Sequence, residues 1–406
     1  MSGLVMKISS LSRIARLIRG RIVVLFALAF TISACAGDFN RFGGQGIQGG
    51  QVPVSGETIG AGNVRIALLL PMSATGNAGV AANAIKNAAQ LAVSDFQAAD
   101  IQILVKDTGG TPAGAAAAAQ TAVSEGAELI LGPIFAASVA SVAPVAQRAR
   151  VPVVAFSTDT NVAGRGVYLL SFLPETDIQR VVTYAAAQGR RSFAAILPEG
   201  AYGTIAEGAL QEAAARSGGR VVTIERYPPD AQAMVPAVQR LAQAAGAADA
   251  ILIPDGPAAI PSLAPLLPVN GIDAGRVKFL GSGQWDAPAV RQVDTLIGGW
   301  YAAPNPAGWQ QFQTRYAASF GQTPPRIVTL GYDAVSLAAA LSGGVPGQRY
   351  TANVLTNPSG FSGIDGIFRF RRNGTNERGL AILEITANGG TQIVDPAPTG
   401  FTTSGS

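Results

Sequence analysis

Val64-Arg65-Ile66-Ala67-Leu68-Leu69-Leu70 is a seven-residue run with one charge, closed by Pro71. A short apolar run bounded by a breaker is the pattern of a strand covered on both faces. Downstream, Ala81, Ala84, Ile85, Ala88, Leu91, Ala92 and Phe96 recur at helical spacing, which predicts a helix over 79–97. A second strand follows over 101–105, an Ala-rich helix over 112–125 and a third strand over 129–131. A helix over 136–148 and a strand over 151–156 complete a βαβαβαβ series. Such a series needs a parallel sheet with helices on both faces.

The pattern restarts after Pro174. Helices are expected over 177–188, 204–216, 234–244 and 258–267, and strands over 193–197, 220–227, 250–253 and 277–280. That is a second parallel α/β unit. Two more helices are expected over 306–320 and 327–341. The end differs: 366–371 and 379–385, joined across Asn373-Gly374, read as an antiparallel pair. The fold class is therefore α/β with two Rossmann-like lobes, and 406 residues suit two domains or one bilobal unit.

Composition narrows the chemistry. The chain has no His and one Cys. A Ser-His-Asp triad, an imidazole metal site and an intramolecular disulfide are excluded. Asp and Glu are scattered, with no metal or phosphate motif and no cofactor site. An enzyme is disfavoured. The net charge of +4 comes from Lys7, Arg13, Arg16, Arg19 and Arg21. The 29 basic side chains less these five leave 24 against 25 acidic ones, which gives no footprint for nucleic acid.

Those five charges open an export signal over residues 1–34. Residues 22–32 (IVVLFALAFTI) are too few to span a bilayer and suit a signal h-region. The run ends in Ile32-Ser33-Ala34-Cys35, which resembles a bacterial lipobox, with Cys35 the residue acylated. The alternative is a plain signal peptide. Ala36 follows, and the resemblance to Gram-negative lipoproteins implies a periplasmic protein anchored to the outer membrane. Nine of the 28 residues over 36–63 are Gly, which predicts a flexible tether spanning about 30 Å. Its Gly44-Gln45-Gly46-Ile47-Gln48-Gly49 has no strand before it and no helix after, so the dinucleotide reading fails. Residues 395–406 read as a disordered tail.

Four stretches carry a resemblance. They are Leu70-Pro71-Met72-Ser73 with Gly76; Gly132-Pro133 followed by Ala143-Pro144 and Val151-Pro152-Val153-Val154-Ala155-Phe156-Ser157; Glu199-Gly200-Ala201-Tyr202-Gly203; and Phe361-Ser362-Gly363-Ile364-Asp365-Gly366-Ile367-Phe368-Arg369-Phe370 with Asn373-Gly374. In this order and spacing they resemble type 1 periplasmic binding proteins of the leucine/isoleucine/valine-binding kind, over residues 64–394. The resemblance implies two lobes joined by three crossings, one of about 64–174 with 303–343, the other of about 175–302 with 344–394. It places a ligand between the lobes.

Within that resemblance, Met72, Ser73 and Thr75 line the cleft, unless Ser73 or Thr75 caps the following helix. The family's amino-acid binders hold the ligand carboxylate with a Ser hydroxyl and backbone N–H groups at the third helix. Here Ala136 and Ala137 stand there, so one hydroxyl donor is missing. Phe135 reads as core, with a pocket wall the alternative. Ser157, Thr158 and Thr160 follow the fourth strand and can donate. Asp159 beside them reads as a turn residue, with an ammonium partner the alternative. Tyr202 is a cleft wall or a packing residue. Asp255 ends one strand of the second lobe. Gln284 or Asp286 takes the place of the family's acidic partner for the ammonium, and Trp285 walls the cleft or anchors the loop.

Val153-Val154-Ala155-Phe156-Ser157-Thr158-Asp159, Val167-Tyr168-Leu169-Leu170-Ser171-Phe172-Leu173-Pro174-Glu175 and Gly281-Ser282-Gly283-Gln284-Trp285-Asp286 further resemble alphaproteobacterial penicillin-binding protein activators of the same fold. The leading expectation is thus a non-enzymatic lipoprotein that activates a penicillin-binding protein in peptidoglycan synthesis. The alternative is the binding component of an ABC importer for branched-chain amino acids, with a permease as partner and an amino-acid-like ligand.

Overall fold

The computed structural model describes residues 52–228 and 230–401. The signal segment, Cys35 and the tether up to residue 51 lie outside the described residues. The strands are β1 (Thr58–Ile59), β2 (Val64–Leu70), β3 (Ile101–Asp107), β4 (Leu129–Leu131), β5 (Val153–Ala155) and β6 (Val167–Leu169), then β7 (Ser192–Pro198), β8 (Arg220–Tyr227), β9 (Ala250–Leu252), β10 (Lys278–Gly281) and β11 (Trp300–Ala303). After them come β12 (Phe361–Gly363), β13 (Gly366–Phe370), β14 (Asn376–Arg378), β15 (Ala381–Ile385) and β16 (Thr391–Asp395). The first six helices of the two α/β units are α1 (Asn77–Asp95), α2 (Pro112–Ser124), α3 (Ala136–Ala149), α4 (Pro174–Ala187), α5 (Ala201–Arg216) and α6 (Ala231–Ala245).

The first sheet has the order β1-β3-β2-β4-β5-β6, parallel except for β1. All seven residues of β2 are buried, as its unbroken apolar run requires. Ile66, Leu68 and Leu70 pack with α1 and the helix Val328–Leu341, whereas Ala67 and Leu69 pack with α2 and α3. The second sheet has the order β16-β15-β11-β10-β9-β7-β8. β7 repeats the logic of β2: Ala194 and Ile196 face the core shared with α6, and Phe193, Ala195 and Leu197 face α4 and α5. In each sheet the strand order turns back once, between β2 and β4 and between β7 and β9. Ligands of open α/β sheets sit at the carboxyl ends beside such switch points.

Four expectations are corrected. Residues 381–385 do not pair with 366–371, although the Gly379 N–H donates to the Ile367 carbonyl at 2.9 Å. β13 pairs instead with β14 across Asn373-Gly374, and β15 joins the second sheet antiparallel to β11. The pairing depends on which core accepts the side chains. Phe368 and Phe370 enter the first lobe's core, and Leu383 and Ile385 the second's. The segment 361–378 therefore packs with the first lobe, and the last crossing falls between β14 and β15. Second, the folded part begins before residue 64, because β1 pairs with β3. Ser55 is also pinned: its N–H donates to Glu125 Oε1 at 2.9 Å and its carbonyl accepts from Lys106 Nζ at 2.5 Å. Third, the start of the expected disordered tail is packed, with the Phe401 ring 4.5 Å from the Arg369 guanidinium. Fourth, the helix expected over 258–267 is two short ones, Ile260–Leu263 and Leu266–Val269, with Pro265 between them. Proline lacks the N–H that a continuous helix would use there. No helix among the described residues is long and apolar enough to cross a membrane.

Candidate functional site

The loop after β2 carries Met72, half-buried against the first lobe's core, and the exposed Ser73 and Thr75. Neither hydroxyl caps α1, whose N-cap is Gly76 at φ 66° with no side-chain bond, so the capping alternative falls away. The Ser73 N–H donates to Asp107 Oδ1 at 3.2 Å. Burial pushes the Asp107 carboxyl up, but hydrogen bonds from Ser73, Gly109 and Met72 outweigh it and hold the group below its ordinary value.

Ala136 opens α3 and Ala137 follows it, half-buried and exposed respectively. Their N–H groups lie in the first turn, which has no intrahelical acceptors. Phe135 is 40% exposed at the N-cap, so it is not core. Two residues on, Ser138 is buried and its Oγ has no partner among the described residues. The sequence reading passed over Ser138, although a Ser in the first turn was the signal to look for.

Beyond β5, Ser157 is buried and its Oγ accepts from the Asp159 N–H at 3.1 Å. Asp159 Oδ1 accepts from the Asn161 backbone N–H at 3.0 Å and its amide at 2.8 Å, which is the turn geometry. Thr158 is exposed. Thr160 is committed elsewhere: its hydroxyl donates to Glu175 Oε1 at 3.0 Å.

In the second lobe the polar groups are tied inward. The Tyr202 hydroxyl donates to the Pro254 carbonyl at 2.6 Å and lies 3.2 Å from Ser282 Oγ. Burial pushes its pKa to about 12. The Asp255 carboxylate accepts from the Tyr227 hydroxyl and from the Gly256 N–H. Trp285 is fully buried and its Nε1 donates to the Ile253 carbonyl at 2.9 Å, so it anchors the loop. Asp286 Oδ1 lies 2.8 Å from Arg291 Nη1 and 3.2 Å from the Tyr301 hydroxyl. Burial raises the Asp286 carboxyl, against the pull of Arg291 and of Arg326 from the first lobe. Gln284 is exposed. Of the two candidates for the ammonium partner, the acid is already paired and the amide is free of any charge.

A second polar cluster lies where the chain crosses between lobes. Arg378 Nε donates to the Ser171 carbonyl at 3.0 Å, and its guanidinium carbon lies 4.7 Å from the Phe172 ring centroid. Arg326 holds Asp365 with both Nη atoms, at 3.0 and 2.5 Å, and the Thr329 hydroxyl adds a bond of 2.6 Å. Asp333 Oδ1 accepts from the Ile364 N–H at 2.8 Å. Burial, then repulsion from Asp365, raises its pKa to about 7. Asp177 is raised to about 7 by burial as well. Three buried carboxylates thus face two guanidinia. A sequence signal existed, since Asp333 sits inside the apolar helix Val328–Leu341, but its partners are distant in the chain.

The model of one protein family, described as periplasmic binding protein, matches residues 63–391. The chain belongs to the periplasmic binding protein family. Solved structures agree on the fold. An ABC transporter substrate-binding protein from Sphaerobacter thermophilus superposes with a TM-score of 0.67 at 20% identity, covering 83% of this chain and 98% of that one. A branched-chain amino acid ABC transporter periplasmic ligand-binding protein from Burkholderia xenovorans gives 0.64 at 20% identity, covering 84% and 94%. A solute-binding protein of an ABC transporter from Rhodopseudomonas palustris, in complex with 3,4-dihydroxybenzoic acid, gives 0.58 at 19% identity, covering 82% and 96%. No curated protein matches the sequence. In this periplasmic binding protein, the loops at residues 71–76, 132–137, 198–202 and 253–256 flank the two switch points, and those at 156–160 and 281–286 end neighbouring strands.

Proposed function

We propose that this protein is a non-enzymatic solute-binding component of an ABC importer, with a permease as partner, and that its solute is an organic acid without an ammonium group. One observation carries the choice of solute: Asp159, Asp255 and Asp286 are each engaged within their own lobe. The acid in the place of the family's ammonium partner, Asp286, is already paired with Arg291, and a buried ammonium left without such a partner costs several kcal/mol. The free turn of α3 and the exposed hydroxyls of Thr75 and Thr158 suit a carboxylate. The Rhodopseudomonas palustris neighbour holds such an acid. Calorimetry on the purified protein tests this. Benzoate-type acids are expected to bind and leucine, isoleucine and valine to give no heat. Submicromolar binding of any of those three amino acids overturns it.

The same engaged groups favour a second reading, in which the protein captures no transported solute and instead activates a penicillin-binding protein for peptidoglycan synthesis. A reconstituted glycan-polymerisation assay separates the two. Acceleration on adding this protein supports activation, and an unchanged rate removes it. In either role we place the protein in the periplasm, held to the outer membrane by acylated Cys35. Cys35→Ser is expected to move it from the membrane pellet to the soluble fraction, and a wild-type protein already soluble overturns the anchor.

A further inference from the structure

Arg148, Arg150, Arg165, Arg371 and Arg372 come from three distant stretches of the chain, and all five are exposed. Packing brings the stretches together. Arg148 lies in the last turn of α3 and Arg150 caps it, and the Gln147 amide beside them donates to the Arg165 carbonyl at 3.2 Å. Arg165 stands in the turn that enters β6, the edge strand of the first sheet. The turn between β13 and β14 carries Arg371 and Arg372 and lies against that one. The Leu169 N–H donates to the Gly374 carbonyl at 2.8 Å, and a Cβ at 374 would come within 2.6 Å of the Gly164 nitrogen.

No carboxylate answers these arginines from their own stretches: residues 129–158, 160–174 and 366–376 contain no Asp or Glu. Among the described residues Arg148, Arg150, Arg165 and Arg372 make no ion pair, and Arg371 shares Glu377, at 3.5 Å, with Arg369. The other acids bordering the stretches are spent: Glu128 on Arg349 at 2.6 Å, Glu175 on the Thr160 hydroxyl at 3.0 Å and Asp159 on Asn161. With Arg349 and Arg369 included, seven arginines stand against four carboxylates, so the face is positive. The dipole at the end of α3 suits Arg148 and Arg150 and leaves the other three unexplained. A protein partner is usually gripped by apolar or aromatic anchors at the centre of a patch. Phe135, the one exposed large apolar side chain of these stretches, opens α3, about 20 Å of helix away from Arg148. Arginine forks match phosphate oxygens, and a basic face without anchors fits a layer of mobile charges better than a protein groove. A chain of this periplasmic family lies beside phospholipid leaflets.

We propose that this arginine face docks the first lobe on an anionic phospholipid surface, through the lipid phosphates. The proposal rests on the arginines alone and holds with or without the acyl anchor. The test uses the chain from residue 35 with Cys35→Ser, the mature form less its acyl group, which also lacks the five basic residues of the export signal. Its binding is measured to vesicles of phosphatidylglycerol and phosphatidylcholine in equal parts, with phosphatidylcholine alone as the control. Binding is expected to the anionic vesicles only, and is expected to vanish in about 1 M salt, where charges are screened beyond about 3 Å. Each arginine near an anionic leaflet strengthens binding about fivefold. The triple variant Arg150→Gln, Arg165→Gln and Arg372→Gln is therefore expected to bind about a hundredfold more weakly. A charge-matched variant, Arg191→Gln, Arg220→Gln and Arg276→Gln, changes exposed arginines of the second lobe and is expected to keep the affinity. Both variants should melt as their parent does. No binding to the anionic vesicles, or an equal loss in the two variants, overturns the site. So does saturable binding to polyglutamate without binding to vesicles, which is the result for an acidic protein partner.

Discussion

The carboxylate of Asp177, in α4, accepts a hydrogen bond of 3.0 Å from the backbone N–H of Gly283, in the loop after β10. A Cβ at position 283 would meet Asp177 Oδ2 at 2.9 Å, so the contact needs glycine. The bond fixes the start of the loop that carries Gln284, Trp285 and Asp286 to the first turn of α4. One N–H does not offset full burial, and the Asp177 pKa stands at about 7.

That raised value sets a pH dependence. Between about pH 4 and pH 7 the native chain keeps a proton that the unfolded chain has released. The stability this group contributes is full below the unfolded value, falls as pH rises through the window and is gone above pH 7. Asp333 acts in the same direction. Melting curves are expected to show the wild type losing stability between about pH 4 and pH 7. Asp177→Asn, which can still accept from Gly283, should lose measurably less. An equal loss in both proteins sinks the assignment to Asp177.

Gly281 lies under the indole of Trp285. A Cβ there would come within 2.1 Å of the ring, and Trp285 is fully buried with no room to yield. Gly281→Ala is expected to cost about 1–3 kcal/mol by overpacking. Gly343→Ala, which meets nothing within 4 Å, serves as the control in chemical denaturation. Equal midpoints for the two variants would contradict the packing account.

Lys106 and Glu125 form an ion pair of 2.6 Å with side chains 7% and 6% exposed. Removing one partner of a buried pair costs about 3–5 kcal/mol. Glu125→Ala should also free the segment around Ser55, because Glu125 accepts from both its N–H and its hydroxyl. Limited proteolysis of the wild type is expected to cut before residue 52 and spare 52–63. In the variant, cleavage should extend into 52–59. Wild-type cleavage throughout 52–63 would show that β1 is not held.

Ala136→Ser tests the opening of α3 as a carboxylate site. A hydroxyl there adds one hydrogen bond to a charged group, about 1.5–3 kcal/mol, hence roughly tenfold or more in affinity for a benzoate-type acid. Leucine should remain weak, because the variant supplies nothing for the ammonium. Calorimetry on both proteins reads the outcome, and an unchanged acid affinity rejects the location.

What the sequence determined by itself was the pair of α/β units. Runs such as 64–70 are apolar at every position because helices cover both faces of a parallel sheet, and that demand is written locally, residue by residue. The loops at the strand ends follow from the same pattern, so Ser73, Thr158 and Gln284 stand where the alternation implies. The tertiary structure alone decided where the ends of the chain go. Residues 361–370 and 381–385 are both alternating strands, and only competition between two cores sends Phe368 to one and Leu383 to the other. It also decided which polar groups remain free. Thr160 is spent on Glu175, Asp286 on Arg291 and Tyr202 on Pro254. A hydroxyl or carboxylate in a sequence states a capacity for hydrogen bonding, and the folded neighbours determine whether that capacity is already used.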